Sequence, residues 1–206
     1  MSRTSVRFTL CSVPRVSDDH LTARREQILA AARVCFLRNG LHTTSMQDLI
    51  REAGLSVGAV YRYFKSKHEI ISAIAEGVVS GLVTAMHEVV RKDLPLIDAM
   101  AEVLGIVDSQ LGENGYFPLV VQIWGESTLD PVIQDLVRDR YQSIREVFRE
   151  LAGNAVRKGE LPPDTDVDAV AGTLFAMAPG YALQRMILGA PDLETYLRGV
   201  RTLLSR

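Results

Sequence analysis

The chain has 206 residues and a formal net charge of −2, and 47% of its residues are hydrophobic. This length suits one large domain or two smaller ones, with enough apolar side chains for a sizeable core. No run of eighteen apolar residues occurs, so we expect no transmembrane helix and no membrane partner. Because the first twenty residues lack the apolar stretch of a signal peptide, we expect a cytoplasmic protein.

The cysteines and histidines show no pattern typical of a disulfide framework or a metal site. Cys11 lies in an N-terminal extension, and Cys35 lies within a helical pattern, where it is predicted to be a small buried residue. No metal-ligand spacing connects the histidines, so we predict surface or helix-end positions for them and expect neither a metal nor a cofactor. The four are His20, His42, His68 and His87.

The small net charge conceals an uneven distribution. Residues 21–70 carry eight Lys or Arg against four Asp or Glu, whereas residues 71–206 carry twelve against nineteen. A basic segment beside an acidic remainder favours contact between the basic part and a polyanion, although a charged run is more often simply a solvated face.

Apolar periodicity predicts helices along nearly the whole chain and no strand. Residues 1–20 show no period and are predicted to form a flexible arm, whose arginines could also enter a minor groove. The fold class is therefore all-α, with about nine helices. The predicted helices begin at Leu21, follow Thr44 and Ser56, and then cover 67–91, 96–112, 116–128, 131–157, 166–189 and 192–205.

Capping signals set several of the predicted helix boundaries. Asn39-Gly40 is expected to end the first helix. Thr44 is predicted to cap the second helix in a capping box with Gln47, and Ser66 the fourth with Glu69. Asp130-Pro131 combines an N-cap residue with proline at the first helical position.

Two of the predicted helices are short and are joined through Gly54, which favours a helix-turn-helix. Leu55 is expected to fill the space between them, and Val60 and Phe64 to face inward. The outward face includes Gly58 and Ala59, which suit a helix whose backbone must approach another surface closely, such as a major groove. The same geometry occurs in helical bundles that never touch nucleic acid, but the accompanying cations favour DNA.

The run TTSMQDLIREAGLSVGAVYRYFKSKHEII resembles the TetR family of bacterial transcriptional regulators. The resemblance covers about residues 24–75 and implies an all-α homodimer with a DNA-binding domain at 21–66 and a ligand-binding and dimerisation domain at 67–206. One departure is Ile50, where the family often has alanine. The matching residues are Thr43, Thr44, Ala53, Gly54, Leu55, Ser56, Gly58, Tyr61, Tyr63, Phe64, Ser66 and Lys67.

The resemblance also implies roles for individual residues at double-stranded operator DNA. The start of the second helix would contact DNA, the outward face of the third would meet bases, and hydroxyl and ammonium groups would bind phosphates, with Arg62 able to do either. The implied contacts are Thr44, Ser45 and Gln47, then Val57, Gly58 and Ala59, then Tyr61, Tyr63 and Lys67.

The last two predicted helices carry more apolar residues than one core requires, and the resemblance places a dimer interface there. Plain intrachain core is the alternative for these residues. The candidates are Val170, Leu174, Ala178, Tyr196, Val200 and Leu204.

A pocket between the middle helices would accept an apolar or amphipathic small molecule, although such residues are more often ordinary core. Gly180 beside Pro179 indicates a kink at which space opens. The candidate pocket residues are Met100, Leu104, Val107, Tyr116, Phe117, Val120, Trp124, Val147, Phe148, Phe175, Met177, Tyr181 and Gln184.

Together these features predict a repressor that a small molecule releases from a palindromic operator. A ligand-independent or activating regulator is the first alternative, and an all-α enzyme the second. The enzyme is disfavoured because no Gly-rich phosphate loop, metal spacing or activated nucleophile is evident. Asp164, Asp166 and Asp168 are more consistent with capping the next helix than with binding a metal.

Overall fold

The computed structural model describes residues 18–112 and 115–204, and this part of the chain contains nine α-helices and no strand. The all-α prediction is confirmed, and most predicted boundaries agree with the structure within a few residues. The helices are α1 (Asp18–Asn39), α2 (Met46–Ala53), α3 (Val57–Tyr63), α4 (Lys67–Arg91), α5 (Leu96–Ser109), α6 (Phe117–Ser127), α7 (Pro131–Arg157), α8 (Val167–Leu188) and α9 (Leu193–Leu204).

Helix α1 begins within the segment predicted to be a flexible arm. Residues 18–20 are helical, so that prediction is wrong for them, and residues 1–17, including Cys11 and the three arginines, lie outside the described residues. Cys35 is fully buried, as predicted.

Helices α1, α2 and α3 form a small unit, called the head below, and α4–α9 form the body. The core of the head contains Val60 and Phe64, both buried as predicted. It continues without a break into Leu119 and Ile123 of α6 and Ile133 of α7. Head and body therefore share one hydrophobic cluster, so a shift of α6 or α7 has a direct packing route to the head.

Gly54 ends α2 with φ of 63°, a left-handed conformation that glycine adopts without strain. Gln27 of α1 donates from Nε2 to the carbonyl oxygen of Ala53 at 2.8 Å and satisfies an acceptor at the end of α2. Ile50 and Leu55 are partly buried against the same core. The turn predicted from the sequence is thus present, and the larger side chain of Ile50 is accommodated.

Two predicted capping boxes differ from those in the structure. Ser45, not Thr44, caps α2, and its partner is Asp48 rather than Gln47. Ser66 caps α4 as predicted, but the Glu69 carboxylate accepts from the backbone N–H of Lys65 and not from that of Ser66.

The predicted caps farther along the chain are present. Asp130 accepts from the N–H groups of Val132 and Ile133 at the start of α7. Asp166 caps α8 through Ala169 N–H at 3.0 Å, so this carboxylate is a helix cap, as its loop position indicated.

The body is organised around α7, which packs against α4, α6 and α8. One core cluster joins Met86 of α4 to Val147 and Phe148 of α7. A second cluster joins Leu104 of α5 to Tyr181 of α8 and Val200 of α9. These two clusters leave space between the middle helices on the side of the head.

Among the helices of the described segments, α4 is long and apolar enough, by length and composition, to cross a membrane. No transmembrane helix was expected from the sequence. In this fold the apolar side chains of α4 pack against α1, α5 and α7 or line the cavity described below.

Several residues predicted for a dimer interface are buried within the chain. Leu174, Ala178 and Val200 belong to the intrachain core, which corrects their assignment. Val170, Tyr196 and Leu204 are half-buried against the same clusters. The exposed apolar residues of α8 and α9 are instead Met186, Ile187, Leu188 and Leu203.

Candidate functional site

The outward face of helix α3 includes a glycine beside its exposed side chains. Val57 is 59% exposed and Tyr61 39% exposed, and Gly58 and Arg62 are exposed beside them. A Cβ added at Gly58 would meet no atom within 4 Å, so no packing inside the chain requires glycine there. The backbone of α3 is therefore accessible to an external surface.

The start of α2 lies beside this face, but its residues differ in accessibility. Thr44 is 2% exposed, and its hydroxyl donates to the carbonyl oxygen of Gly40 at 2.7 Å, so its side chain does not reach the surface. The hydroxyl of Ser45 is exposed but donates to Asp48 Oδ2 at 2.6 Å, within the capping box. The exposed Gln47 forms no hydrogen bond within the described ranges and projects from the first turn of α2.

The Lys67 ammonium group is held by the head itself. Its Nζ donates to the carbonyl oxygens of Leu41 and His42 at 3.0 and 3.3 Å. It thereby joins the start of α4 to the loop between α1 and α2. Tyr63 is partly buried against the head core. Neither side chain is fully available as a phosphate ligand.

The pKa of Asp48 is lowered, chiefly by the hydrogen bond from the Ser45 side chain and then by the Ser45 backbone N–H. Asp48 also pairs with Arg51, and Arg38 pairs with Glu52 at 2.7 Å.

In contrast, Arg62 has no carboxylate partner among the described residues. The cationic group on the α3 face that is available to an anion is therefore Arg62.

A cavity of about 580 Å³ lies between the head and the body. Its wall is mostly apolar and is formed by residues of α1, α4, α5, α6, α7 and α8. The volume lies within the range of about 300–1,000 Å³ that is typical of small-molecule sites. Four residues of the head, Arg25, Glu26, Leu29 and Arg33, belong to this wall.

Aromatic rings follow one another in edge-to-face contact along one side of the cavity. Trp124 contacts Phe117 at 5.6 Å and Tyr141 at 6.0 Å between ring centroids, and Tyr141 contacts Phe175 at 5.0 Å. Burial raises the pKa of Tyr141 to about 12, so its hydroxyl stays protonated at neutral pH. This wall suits a molecule with an apolar or aromatic body.

The family model for the bacterial regulatory proteins of the tetR family matches residues 28–74. The model for the BetI-type transcriptional repressor C-terminal region matches residues 117–206. The uncharacterized HTH-type transcriptional regulator YfiR of Bacillus subtilis is 30% identical over 173 residues, which are 81% of this chain and 82% of the relative. The chain belongs to the TetR family.

A further relative, named as a transcriptional regulator, and a solved structure match most of this TetR-family chain. The HTH-type transcriptional regulator UidR of Escherichia coli is 26% identical over 184 residues, covering 87% of this chain and 90% of the relative. The solved structure of Salmonella enterica GusR has a TM-score of 0.76 and 25% identity, and the match covers 92% of this chain and 96% of that one. The chain is accordingly a DNA-binding transcriptional regulator and not an enzyme.

The cavity of the TetR-family chain contains most of the predicted pocket residues. Those on its wall are Val107, Tyr116, Phe117, Val120, Trp124, Phe148 and Phe175.

Six of the predicted positions do not line it. Met100, Leu104 and Tyr181 are fully buried core residues, and Met177 is partly buried between two core clusters. Gln184 is exposed and donates to Gly180 O at 3.1 Å. Val147, also considered for the pocket, is core as well.

The sequence analysis missed several polar residues of the cavity wall, among them Arg33, Arg140 and Tyr141. Arg140 occupies a position on the apolar stripe of α7, between the buried Ile133 and Val147. A cation at an otherwise apolar position could have identified Arg140 from the sequence, because arginine on an inward helix face requires a partner. No comparable signal marks Arg33.

Polar contacts connect the loop after α1 of the head to α6, and the start of α4 to the start of α7, in this TetR-family chain. Gln122 Oε1 accepts from Leu41 N–H at 2.9 Å, and His42 Nδ1 lies 3.4 Å from Glu126 Oε1. His68 Nε2 at the start of α4 lies 2.6 Å from Asp130 Oδ2 at the start of α7. With the shared core, these contacts make the position of the head depend on α6 and α7.

Proposed function

We propose that the protein is a cytoplasmic, homodimeric repressor that binds a palindromic operator and is released by a small apolar or amphipathic molecule. Residues 21–66 would form the DNA-binding domain and residues 67–206 the domain that binds the effector and the second subunit. One observation carries the proposal: the apolar cavity is walled by the head as well as by the body.

This shared wall gives a bound molecule a direct route to the head. Leu29 and Arg33 of α1 face the same space as Val120 and Trp124 of α6 and residues of α4. A molecule that fits the cavity better in one arrangement of these helices shifts the population toward that arrangement. Coupling of this kind is typically worth about 1–3 kcal/mol, or roughly 5- to 150-fold in affinity.

The exposed face of α3 supports the DNA-binding part of the proposal. Gly58 and Ala59 allow close approach of the backbone, and Val57 offers an apolar contact for a thymine methyl group. Gln47 and Arg62 supply the hydrogen bonds for base or phosphate contact, while Tyr61 supplies a hydroxyl at the edge of the face. Two such heads in a dimer would read half-sites about 34–36 Å apart.

A protein of the same fold has been solved with a small molecule bound. The solved SmeT–triclosan complex has a TM-score of 0.76 and 23% identity to this chain, a likeness that shows the fold alone. The mostly apolar wall of the present cavity is what points to an apolar or amphipathic occupant here.

A cavity-blocking variant tests the proposal. Val120→Trp adds bulk inside the cavity, so we expect operator binding to persist while release by any effector is lost. Val132→Trp is the matched control, because Val132 is 60% exposed on α7 and lies away from the cavity. Fluorescence anisotropy of labelled operator gives both affinities. An effector that releases both variants equally would show that the cavity is not the regulatory site.

A further inference from the structure

We infer that the effector is an organic anion with an apolar or aromatic body, and that Arg140 in the cavity wall binds its carboxylate. The inference rests on the proposed function, because it names the chemical class of the molecule that occupies the cavity. It is carried by the charges of the wall and by one arginine nitrogen without a partner.

Arg140 has an unused donor at the cavity. Its Nε is buried and has no hydrogen-bond partner within the described part of the chain. A buried donor of this kind costs free energy until an acceptor reaches it. The nearest carboxylate is that of Glu76 on α4, whose Oε2 lies 3.9 Å from Arg140 Nη2. That separation is too long for a hydrogen bond and leaves the guanidinium available to a closer oxyanion.

The charge balance of the wall favours an anion. The charged residues on it are three arginines, Arg25, Arg33 and Arg140, and one glutamate, Glu26. Glu26 lies 3.5 Å from Arg25, so that pair compensates itself. Arg33 donates to the Tyr116 hydroxyl at 3.0 Å and forms no ion pair with any described residue. Arg33 therefore contributes positive charge without an ion-pair partner, and Glu76, at 3.9 Å, offsets the charge of Arg140 only in part. The wall remains net positive, which would repel a cationic ligand.

The surroundings of Arg140 suit an amphipathic molecule. Its neighbour Tyr141 also lines the cavity, and the hydroxyl of Tyr141 makes no hydrogen bond to the described residues. Trp124 and Phe175 contact the Tyr141 ring and continue the apolar wall. A carboxylate at Arg140 and the Tyr141 hydroxyl would place an attached apolar body against these rings.

The test compares probes that share a body and differ in charge. We would titrate the full-length protein with decanoate, decanol and decyltrimethylammonium, and with naphthalene-2-carboxylate, naphthalene-2-methanol and a naphthyl trimethylammonium salt. Isothermal calorimetry measures the affinities. At least one carboxylate is expected to bind at least ten-fold tighter than its neutral and cationic counterparts.

Four variants assign the charged group. Arg140→Gln is expected to lose ten-fold or more of the carboxylate affinity, and Arg140→Lys, which keeps the charge without the planar fork, less. Glu76→Gln removes the competing carboxylate and is expected to tighten carboxylate binding about two- to five-fold. Arg138→Gln is the matched control, because Arg138 is an exposed residue of α7 that pairs with Asp135.

A gain of affinity in Glu76→Gln cannot result from misfolding, so the test holds even if the Arg140 variants are destabilised. The inference is overturned if the neutral or cationic probes bind as well as the carboxylates, if no carboxylate binds, or if Arg140→Gln binds the carboxylate normally. Operator release is scored separately. A neutral probe that releases the operator would refute the inference that the effector is an anion and leave the proposed function intact. Probes that fill the cavity without altering operator affinity would refute the proposed function.

Discussion

Gly58 has no structural reason to be glycine. It lies on an exposed face of α3 with open space where a Cβ would stand. Because glycine within a helix is less stable than alanine, Gly58→Ala is expected to stabilise the protein by about 0.5–1 kcal/mol. If α3 enters a major groove, the added methyl group is expected to weaken operator binding about ten-fold. Urea unfolding and fluorescence anisotropy measure the two effects.

Gly125 provides the matched control for that substitution. It is an exposed glycine of α6 that likewise has open space at its Cβ position. Gly125→Ala should stabilise the fold to a similar degree and leave operator affinity unchanged. Unaltered operator affinity in Gly58→Ala would mean that the backbone of α3 does not approach DNA.

Lys67, at the start of α4, and Arg62, in α3, are expected to behave differently although both are cations of the segment that resembles the family motif. Lys67 donates to two backbone carbonyls, so Lys67→Met is expected to lower the free energy of unfolding by about 1–2 kcal/mol. Arg62→Gln is expected to leave stability unchanged and, if Arg62 binds a phosphate, to reduce the slope of log affinity against log salt by about 0.9. Salt titrations of operator binding and urea unfolding distinguish the two. A reversed pattern would refute these assignments.

Single residues also show where sequence reasoning reaches its limit. Thr44 and Ser45 are adjacent hydroxyl residues, and each has a suitable partner three positions later, so the pattern alone allows either cap. The structure selects Ser45 because Thr44 is buried against the end of α1. That choice depends on tertiary packing, which no local signal contains. The role of Gly54, in contrast, follows from local backbone conformation and was predictable.

At the scale of helices, the boundaries were largely predictable and the cavity was not. Caps such as Asp130 and Asp166 are local in sequence and mark helix starts well. Apolar spacing identifies an inward face, but it cannot show whether that face meets another helix or an empty volume. Leu104 and Val107 lie on the same face of α5, and only Val107 borders the cavity.

The contact between α4 and α7 is expected to depend on pH. The hydrogen bond from His68, and to a lesser extent those from the backbone of α7, lower the pKa of Asp130. A lowered carboxylate pKa contributes stability above the pKa of the unfolded chain and loses it as the pH falls through the folded pKa. Asp130→Asn retains a good N-cap, so we expect it to be less stable than the native protein at pH 7. That deficit should shrink below about pH 4.

Urea midpoints between pH 7 and pH 3 measure this difference. Asp135→Asn is the control, because Asp135 lies on the exposed surface of the same helix and pairs with Arg138. A deficit in Asp130→Asn that stays constant down to pH 3 would exclude the carboxylate charge as its cause.

At the scale of the whole molecule, the palindromic operator proposed above would require a second subunit. The exposed apolar residues near the end of α8 and in α9 are the candidates for that contact, since Ile187 is 75% and Leu203 is 77% exposed. The double variant Ile187→Glu with Leu203→Glu is expected to be a folded monomer, because neither side chain supports the intrachain core. Light scattering after size exclusion measures its mass.

Operator binding should be lost together with the dimer. Leu129→Glu is the control, because Leu129 is equally exposed, at 77%, but lies at the corner between α6 and α7. A double variant that remains dimeric would place the subunit interface elsewhere on the body.

Selection of DNA from random duplexes by the purified protein, read by sequencing, shows most directly whether the protein recognises an operator. A dimer that places both α3 helices in the major groove would enrich an inverted repeat whose half-sites are centred about one helical turn, or a multiple of it, apart. Its bound fraction should fall when an effector fills the cavity. Salt-sensitive binding without any enriched sequence would contradict the claim that this head reads an operator.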